Sequence, residues 1–254
     1  MVMQYIFIRN FTGARKEKLD TFLALCRTQD GNLPMLNLPD EPMDCEGCIA
    51  AIFKNSGDFA GILTYLQTKD CFELAAIVHP EYRKQGIFTA LYREFEKKVL
   101  AESSNIPDTI VWPLSDSDTK VARFLSHIGK QESYREFLMT LDLSKYFYLY
   151  HNAPFTFFTK RHVKKESTYI YHLYKGLRKI GTCYVSDGCI YNVEIHPTYR
   201  RKRFGNKLLI HAINHQRKLG QKRLFLHVTS LNIAACRLYQ TLGFELAEQI
   251  IYFK

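Results

Sequence analysis

Ile195-His196-Pro197-Thr198-Tyr199-Arg200-Arg201-Lys202-Arg203-Phe204-Gly205-Asn206 decides how this chain folds once it is set beside an earlier stretch, Val78-His79-Pro80-Glu81-Tyr82-Arg83-Lys84-Gln85-Gly86. Both read apolar-His-Pro-x-Tyr-Arg-basic, and the two histidines lie 117 positions apart. The flanks repeat as well. A β-rich stretch precedes each copy, Phe72–Val78 and Cys189–Ile195. An amphipathic helix follows each, with apolar positions Ile87, Phe88, Leu91, Phe95 and Val99 in one and Phe204, Leu208, Leu209, Ala212 and Ile213 in the other. A short strand comes next (Thr109–Trp112; Leu224–Val228), then a helix ending at Gly129 or Gly243, then a last strand (Tyr134–Leu143; Glu245–Phe253). The chain therefore reads as two tandem copies of one α/β unit, 1–145 and 146–254, with a seam near Asp142–Phe155. The first copy has extra material in front: a strand at Tyr5–Arg9, a helical pattern through Leu19, Phe22, Leu23 and Cys26, and a proline-rich loop over Asn32–Pro42. The second begins almost directly with strands at Thr168–Tyr174 and Lys179–Val185, so its opening helices are missing.

Composition narrows the class. The 254 residues are 46% hydrophobic and 24% charged, ordinary for a globular protein and unlike a disordered or collagenous one. No apolar run reaches the roughly 18–20 residues needed to span a bilayer, and Arg9 interrupts the short apolar N-terminus. Seven scattered cysteines without an export signal read as reduced thiols in a cytoplasmic protein. The net charge of +10 is unevenly divided. Residues 1–150 hold 17 Lys and Arg against 20 Asp and Glu, a net of −3; residues 151–254 hold 18 against 5, a net of +13. A field of that sign draws anions to the second copy: nucleic acid, a membrane surface, an acidic protein or a phosphorylated cofactor.

The turn at Arg200–Asn206 joins a strand to a helix. The first-turn amides of a helix have no internal acceptors, and with the helix dipole and four basic side chains they form a site for pyrophosphate. Here the sequence resembles the GCN5-related N-acetyltransferase (GNAT) family. The family's loop runs Arg/Gln-x-x-Gly-x-Gly/Ala after a strand ending Val-x-Pro, and Arg203 stands at the first glycine position. The downstream motif, Asn-x-x-Ala-x-x-Leu-Tyr-x-x-x-Gly-Phe, is matched throughout by Asn232–Phe244. The resemblance covers both copies. It implies an α/β (α+β) fold of two tandem units, each a mixed, mostly antiparallel twisted sheet flanked by helices. It implies acetyl-CoA as acyl donor and a primary amine as acceptor, on a small molecule or a peptide.

The resemblance also assigns residues. The donor is expected on Val193, Glu194 and Ile195 of the strand, on Arg200, Arg201, Lys202, Arg203, Phe204, Gly205 and Asn206 of the loop, and on Asn232 and Tyr239. Strand backbone amides would polarise the thioester carbonyl, and Tyr239 would protonate the leaving sulfur. In relatives that acetylate ribosomal protein N-termini a glutamate twelve residues before that tyrosine is the base; here the position is His227, whose imidazole suits proton removal at neutral pH. Alternation puts His227 opposite Leu224, Leu226 and Val228, and Glu194 is the rival base. The first copy breaks the pattern: Asp118, Leu125 and Pro113 stand at the positions of Asn232, Tyr239 and His227. It reads as a structural partner or a degenerate cofactor site.

Other signals are weaker. Cys45-Glu46-Gly47-Cys48 is one C-x-x-C with no second pair at zinc spacing, so no metal site is expected. The aromatic tract Tyr146–Tyr150 and Phe155–Phe158, with Lys160, Arg161, Lys164 and Lys165, suits RNA stacking less well than core packing. A non-catalytic CoA-binding scaffold and a basic nucleic-acid-binding module are the competing readings; no membrane contact is expected, and a homodimer is left open.

Overall fold

The computed structural model describes residues 2–38, 46–101, 107, 109–145, 156–163 and 167–254. The chain forms two compact units, Met1–Tyr134 with Ile250–Lys254, and Arg135–Gln249. This division does not follow the repeat. The last strand of each copy pairs inside the other copy's sheet, so the structural boundaries lie at 134/135 and 249/250 instead of at the sequence seam.

The first unit is a sheet of β1 (Met3–Ile8), β2 (Glu46–Phe53), β3 (Phe59–Gln67), β4 (Phe72–Val78) and β5 (Ile110–Ser115), closed by Ile250–Phe253 from the chain's final strand β12 (Glu245–Phe253). Neighbours are antiparallel except β4 and β5. Helix α1 (Gly13–Asp30) covers one face through Leu19, Phe22 and Cys26, packed on Ile8, Cys48 and Ile62. Helix α2 (Ile87–Phe95) and α3 (Thr119–His127) cover the other, with Leu91, Phe95 and Leu125 against Leu63, Trp112 and Phe253. β2 is buried at seven consecutive positions because both faces of the sheet are covered, which removes the alternation that marks a half-exposed strand.

The second unit orders its strands β6-β11-β10-β9-β8-β7: β6 (Glu132–Asp142, from Arg135), β11 (Arg223–Thr229), β10 (Cys189–Ile195), β9 (Arg178–Ser186), β8 (Thr168–Lys175) and β7 (Thr156–Val163). β10 and β11 are parallel and the rest antiparallel. Helices α4 (Phe204–Lys218) and α5 (Ile233–Thr241) share one core with Met139, Leu141, Tyr171, Leu173 and Leu226. Among the described residues no helix precedes β8 in this copy. β7 was not expected. Part of the aromatic tract forms it: Phe158 lies flat on His211 of α4 and packs against the core, whereas Phe157 lies on Tyr174 of β8 and is exposed. Tyr146–Phe155, Lys164, Lys165 and Cys45 lie outside the described residues.

Candidate functional site

In the second unit β10 is broken by a bulge. It pairs with β9 at Tyr191↔Tyr184 and resumes at Glu194↔Thr182, leaving Asn192 and Val193 without partners in register. Asn192 takes φ +48, a left-handed conformation that asparagine tolerates better than most residues. β10 and β11 share one register pair, Cys189↔Phe225, near the start of β10. Beyond it the bulged end of β10 carries Val193, Glu194 and Ile195 beside a strand it no longer ladders with. Backbone donors there are set free for a ligand.

The turn that follows is shaped by its own arginine. Arg200 Nε donates to the carbonyl of Ile195 at 2.9 Å. Lys202 Nζ donates to the carbonyl of Thr198 at 3.2 Å and lies 5.9 Å over the Tyr199 ring, so its ammonium is turned back on the turn itself. Arg201 (φ +58) and Arg203 (φ +61, ψ +13) are both left-handed. Arg203 adopts what Gly86 adopts in the first unit (φ +78, ψ +5), so the loop keeps its conformation without the glycine. The first α4 amide to find a helical acceptor is that of Lys207, on Arg203. Those of Phe204, Gly205 and Asn206 precede it and face outward from the helix start. The Phe204 side chain is buried, so this residue offers its backbone. Gly205 is small for a second reason: a Cβ there would lie 3.1 Å from Leu238 of α5.

Tyr239 of α5 is buried, edge-on to Phe244, and burial pushes its phenol up to about 12. Its hydroxyl has no hydrogen-bond partner among the described residues, which leaves the proton available. Asn232 caps α5, its Oδ1 accepting from the Ala235 amide at 3.1 Å, so only its amide nitrogen is left for a ligand. His227 is exposed on β11 across from Leu138, on the face opposite the buried Leu224, Leu226 and Val228 as alternation predicts. Glu194 is exposed and sits in a row with Thr182 and His172, which are joined by a 3.2 Å contact between Oγ1 and Nδ1. Tyr239 thus belongs to the helix-side core, whereas His227 and Glu194 lie outside it. His172, Thr182 and Asn192 escape a sequence reading; an asparagine inside an apolar strand was the one available sign.

The first unit repeats the turn but not the bulge or the residues around it. β4 runs in unbroken register with β3 from Phe72 to Val78. Arg83 repeats the anchor of Arg200, donating from Nε to Val78, but its guanidinium is clamped by Asp30 of α1 at 2.9 and 2.5 Å. That pairing holds the Asp30 carboxyl below its ordinary range. Phe88 stands where the second unit has Gly205, wedged 5.2 Å from Phe124 and 5.8 Å from Trp112. Leu125 is buried in the place of Tyr239, and Asp118 has a buried, unpartnered Oδ2 and a carboxyl raised by burial. Among the described residues no His, Cys, Asp and Glu cluster has metal-binding geometry, and no helix is long and apolar enough to cross a membrane.

Comparison with known proteins gives one family. The model of the acetyltransferase (GNAT) family matches residues 16–129 and again 135–244. Among curated proteins, the ribosomal protein bS18-alanine N-acetyltransferase of Escherichia coli K12 is 36% identical over 61 residues, 24% of this chain and 41% of that protein. The L-methionine sulfoximine/L-methionine sulfone acetyltransferase of Salmonella typhimurium is 35% identical over 68 residues, 25% of this chain and 40% of that one. The chain thus spans about two fifths of the length of these relatives. Among solved structures, a GCN5-related N-acetyltransferase from Sphaerobacter thermophilus superposes with TM-score 0.62 at 16% identity, covering 98% of this chain and 94% of its own. A tandem GNAT protein of the clavulanic acid biosynthesis pathway gives 0.59 at 13%, covering 98% of both. These likenesses establish the fold, two such domains in tandem.

Proposed function

Because this chain belongs to the acetyltransferase (GNAT) family, we propose that it is an N-acetyltransferase moving an acetyl group from acetyl-CoA to a primary amine, with the working site in the second unit and the first unit structural. The observation that carries this reading is the bulge of β10 leading into the unblocked helix start of α4, against the unbroken β4 and the clamped Arg83 of the first unit.

The residues fit the donor. The amides of Phe204, Gly205 and Asn206, with the guanidinium groups of Arg200, Arg201 and Arg203, hold a diphosphate. Asn232 offers its free amide nitrogen. Bound there, acetyl-CoA supplies an acyl thioester. Amides freed around Val193–Ile195 then donate to the carbonyl oxygen as it gains charge. An amine of ordinary pKa ~10.4 must lose its proton to attack, worth on the order of 4–5 kcal/mol at pH 7. Glu194 or His227 takes that proton, directly or through water. As the new C–N bond forms and the C–S bond breaks, Tyr239 gives its phenolic proton to sulfur.

Calorimetry with acetyl-CoA and thiol release with amines test this. Wild type should bind in the micromolar range, and Arg200→Glu with Arg201→Glu should weaken binding at least tenfold. Tyr239→Phe should lower kcat at least tenfold with affinity for acetyl-CoA within about threefold. No binding by the wild type removes the proposal, and unchanged turnover by Tyr239→Phe removes the acid.

A further inference from the structure

No described helix covers one face of the second unit's sheet. Both α4 and α5 pack into one core, so they sit on one side of the sheet. In the first unit the opposite side is filled by α1; in the second, no described helix takes that place. Strand register identifies what stands there, since residues directly across a ladder share a face. One row runs Arg161, Ile170, Tyr184, Tyr191; the next Thr159, His172, Thr182, Glu194; the third Phe157, Tyr174, Lys179. The rings form two pairs, Phe157 on Tyr174 at 4.8 Å and Tyr184 with Tyr191 at 5.4 Å. Phe157 and Tyr191 are 45% and 37% exposed, so ring surface is available to a ligand.

Charge on this face is divided by strand. From β7 to β10 it carries one carboxylate, Glu194, with Arg161 and Lys179, while Arg223, Asp142 and Glu136 share the face at its β11 and β6 end. Lys179 and Arg161 belong to the open face, and neither has an ion-pair partner among the described residues. The charge on Lys179 reaches His172, whose imidazole it helps hold below the ordinary value after burial has done most of that. Beside β8 to β10 an acceptor with several ammonium groups meets one carboxylate and two cations. An acceptor with its own anion meets Lys179 and Arg161.

Resting on the acetyl-transfer reading above, we propose that this open face seats an acceptor amine on an apolar body that also carries an anionic group: the amine beside Glu194, the body over the Tyr184, Tyr191 and Tyr174 rings, the anion on Lys179. α-Amino acids with large apolar side chains meet this description. Polyamines and aminoglycosides do not.

The test uses matched amines with the full chain and acetyl-CoA, followed by thiol release: L-phenylalanine against phenethylamine, L-tyrosine against tyramine, and spermidine. The amino acids should exceed their decarboxylated partners at least tenfold in kcat/KM, with spermidine slowest. The ratio should shrink as salt screens the face. Lys179→Ala should bring the ratio to within about threefold, acting through KM, with acetyl-CoA binding as the check on folding. Equal or faster turnover of phenethylamine, tyramine or spermidine by the wild type overturns this inference and leaves the acetyl-transfer reading standing. Thiol release with none of these amines by a protein that binds acetyl-CoA likewise overturns this inference, whereas failure to bind acetyl-CoA overturns the acetyl-transfer reading on which it rests.

Discussion

Arg203 is the residue at which this chain departs from its family's pattern, and its backbone shows how the departure is tolerated. A left-handed arginine is strained by about 1–2 kcal/mol, whereas a glycine is not, though it loses more entropy on folding. Arg203→Gly should therefore raise the melting temperature by about 2–3 °C, measured by calorimetry, while weakening acetyl-CoA binding through the lost cation. Stability and affinity should move in opposite directions. Tyr239 gives a second prediction. Its folded phenol titrates near 12 instead of 10, so it stays protonated where a solvent-exposed tyrosine ionises. If it is the acid, kcat should show no alkaline decline from this group between about pH 8 and about pH 10.5. The sequence displayed both residues through motif positions alone. It did not display the clamp of Asp30 on Arg83 or the wedge of Phe88, because each depends on a partner 53 or about 36 residues away that only the fold brings near.

Among the elements, α4 differs most from its counterpart. It is buried nearly all round, and its inner side carries a polar cluster that periodicity does not reveal. Gln216 Nε2 donates to the Tyr171 hydroxyl at 2.8 Å, and that hydroxyl shares a 2.8 Å hydrogen bond with His215 Nδ1. Burial, then the charges of Lys160 and Lys218, hold the His215 imidazole below its ordinary value. His211, flat on Phe158, is pushed down to about 4, first by burial and then by His215, Lys160 and Lys218. The unfolded chain binds a proton near pH 6.5 that the folded one refuses until about pH 4, so stability is full above 6.5 and is lost as pH falls toward 4. The melting temperature should drop across that window, and His211→Phe should flatten the drop. Gly181 supports the same helix from below. A Cβ there would lie 2.6 Å from Ile195 Cδ1 and 3.3 Å from Leu208, so Gly181→Ala should destabilise by about 1–3 kcal/mol in urea unfolding. β4 and β10 were readable to the residue from their β-rich composition and from the repeated His-Pro that ends each. β2, β3 and β7 were not, since the first two are buried on both faces and the third resembled an aromatic linker.

For the whole molecule, the repeat was readable and its exchange of strands was not, because a strand's apolar pattern does not say whose edge it will pair with. Ile251, Tyr252 and Phe253 come from the second repeat but are buried in the first unit, pairing Leu114, Pro113 and Trp112. Lys254 and Gln131 exchange backbone hydrogen bonds at 2.9 and 3.1 Å beside them. Removing Ile250–Lys254 should destabilise the first unit on the order of 5 kcal/mol. Hydrogen exchange should show β5 losing protection while β8 and β9 keep theirs. A chain cut at the sequence seam should fare worse, as each half then lacks one strand and carries another that has no partner. The division of charge follows the division of labour proposed above: the +13 half keeps the arginines of its turn, and in the −3 half Asp30 pairs with Arg83.

The exchanged strand also orders events in time. On the ribosome, β5 is made 135 residues before the segment that covers its edge, counted from Ser115 to Ile250. At about 5–20 residues per second that edge waits on the order of ten seconds, exposed to other nascent chains. The first unit is begun before the second and completed after it, so its folding waits on a segment that lies beyond the whole of its neighbour in the chain.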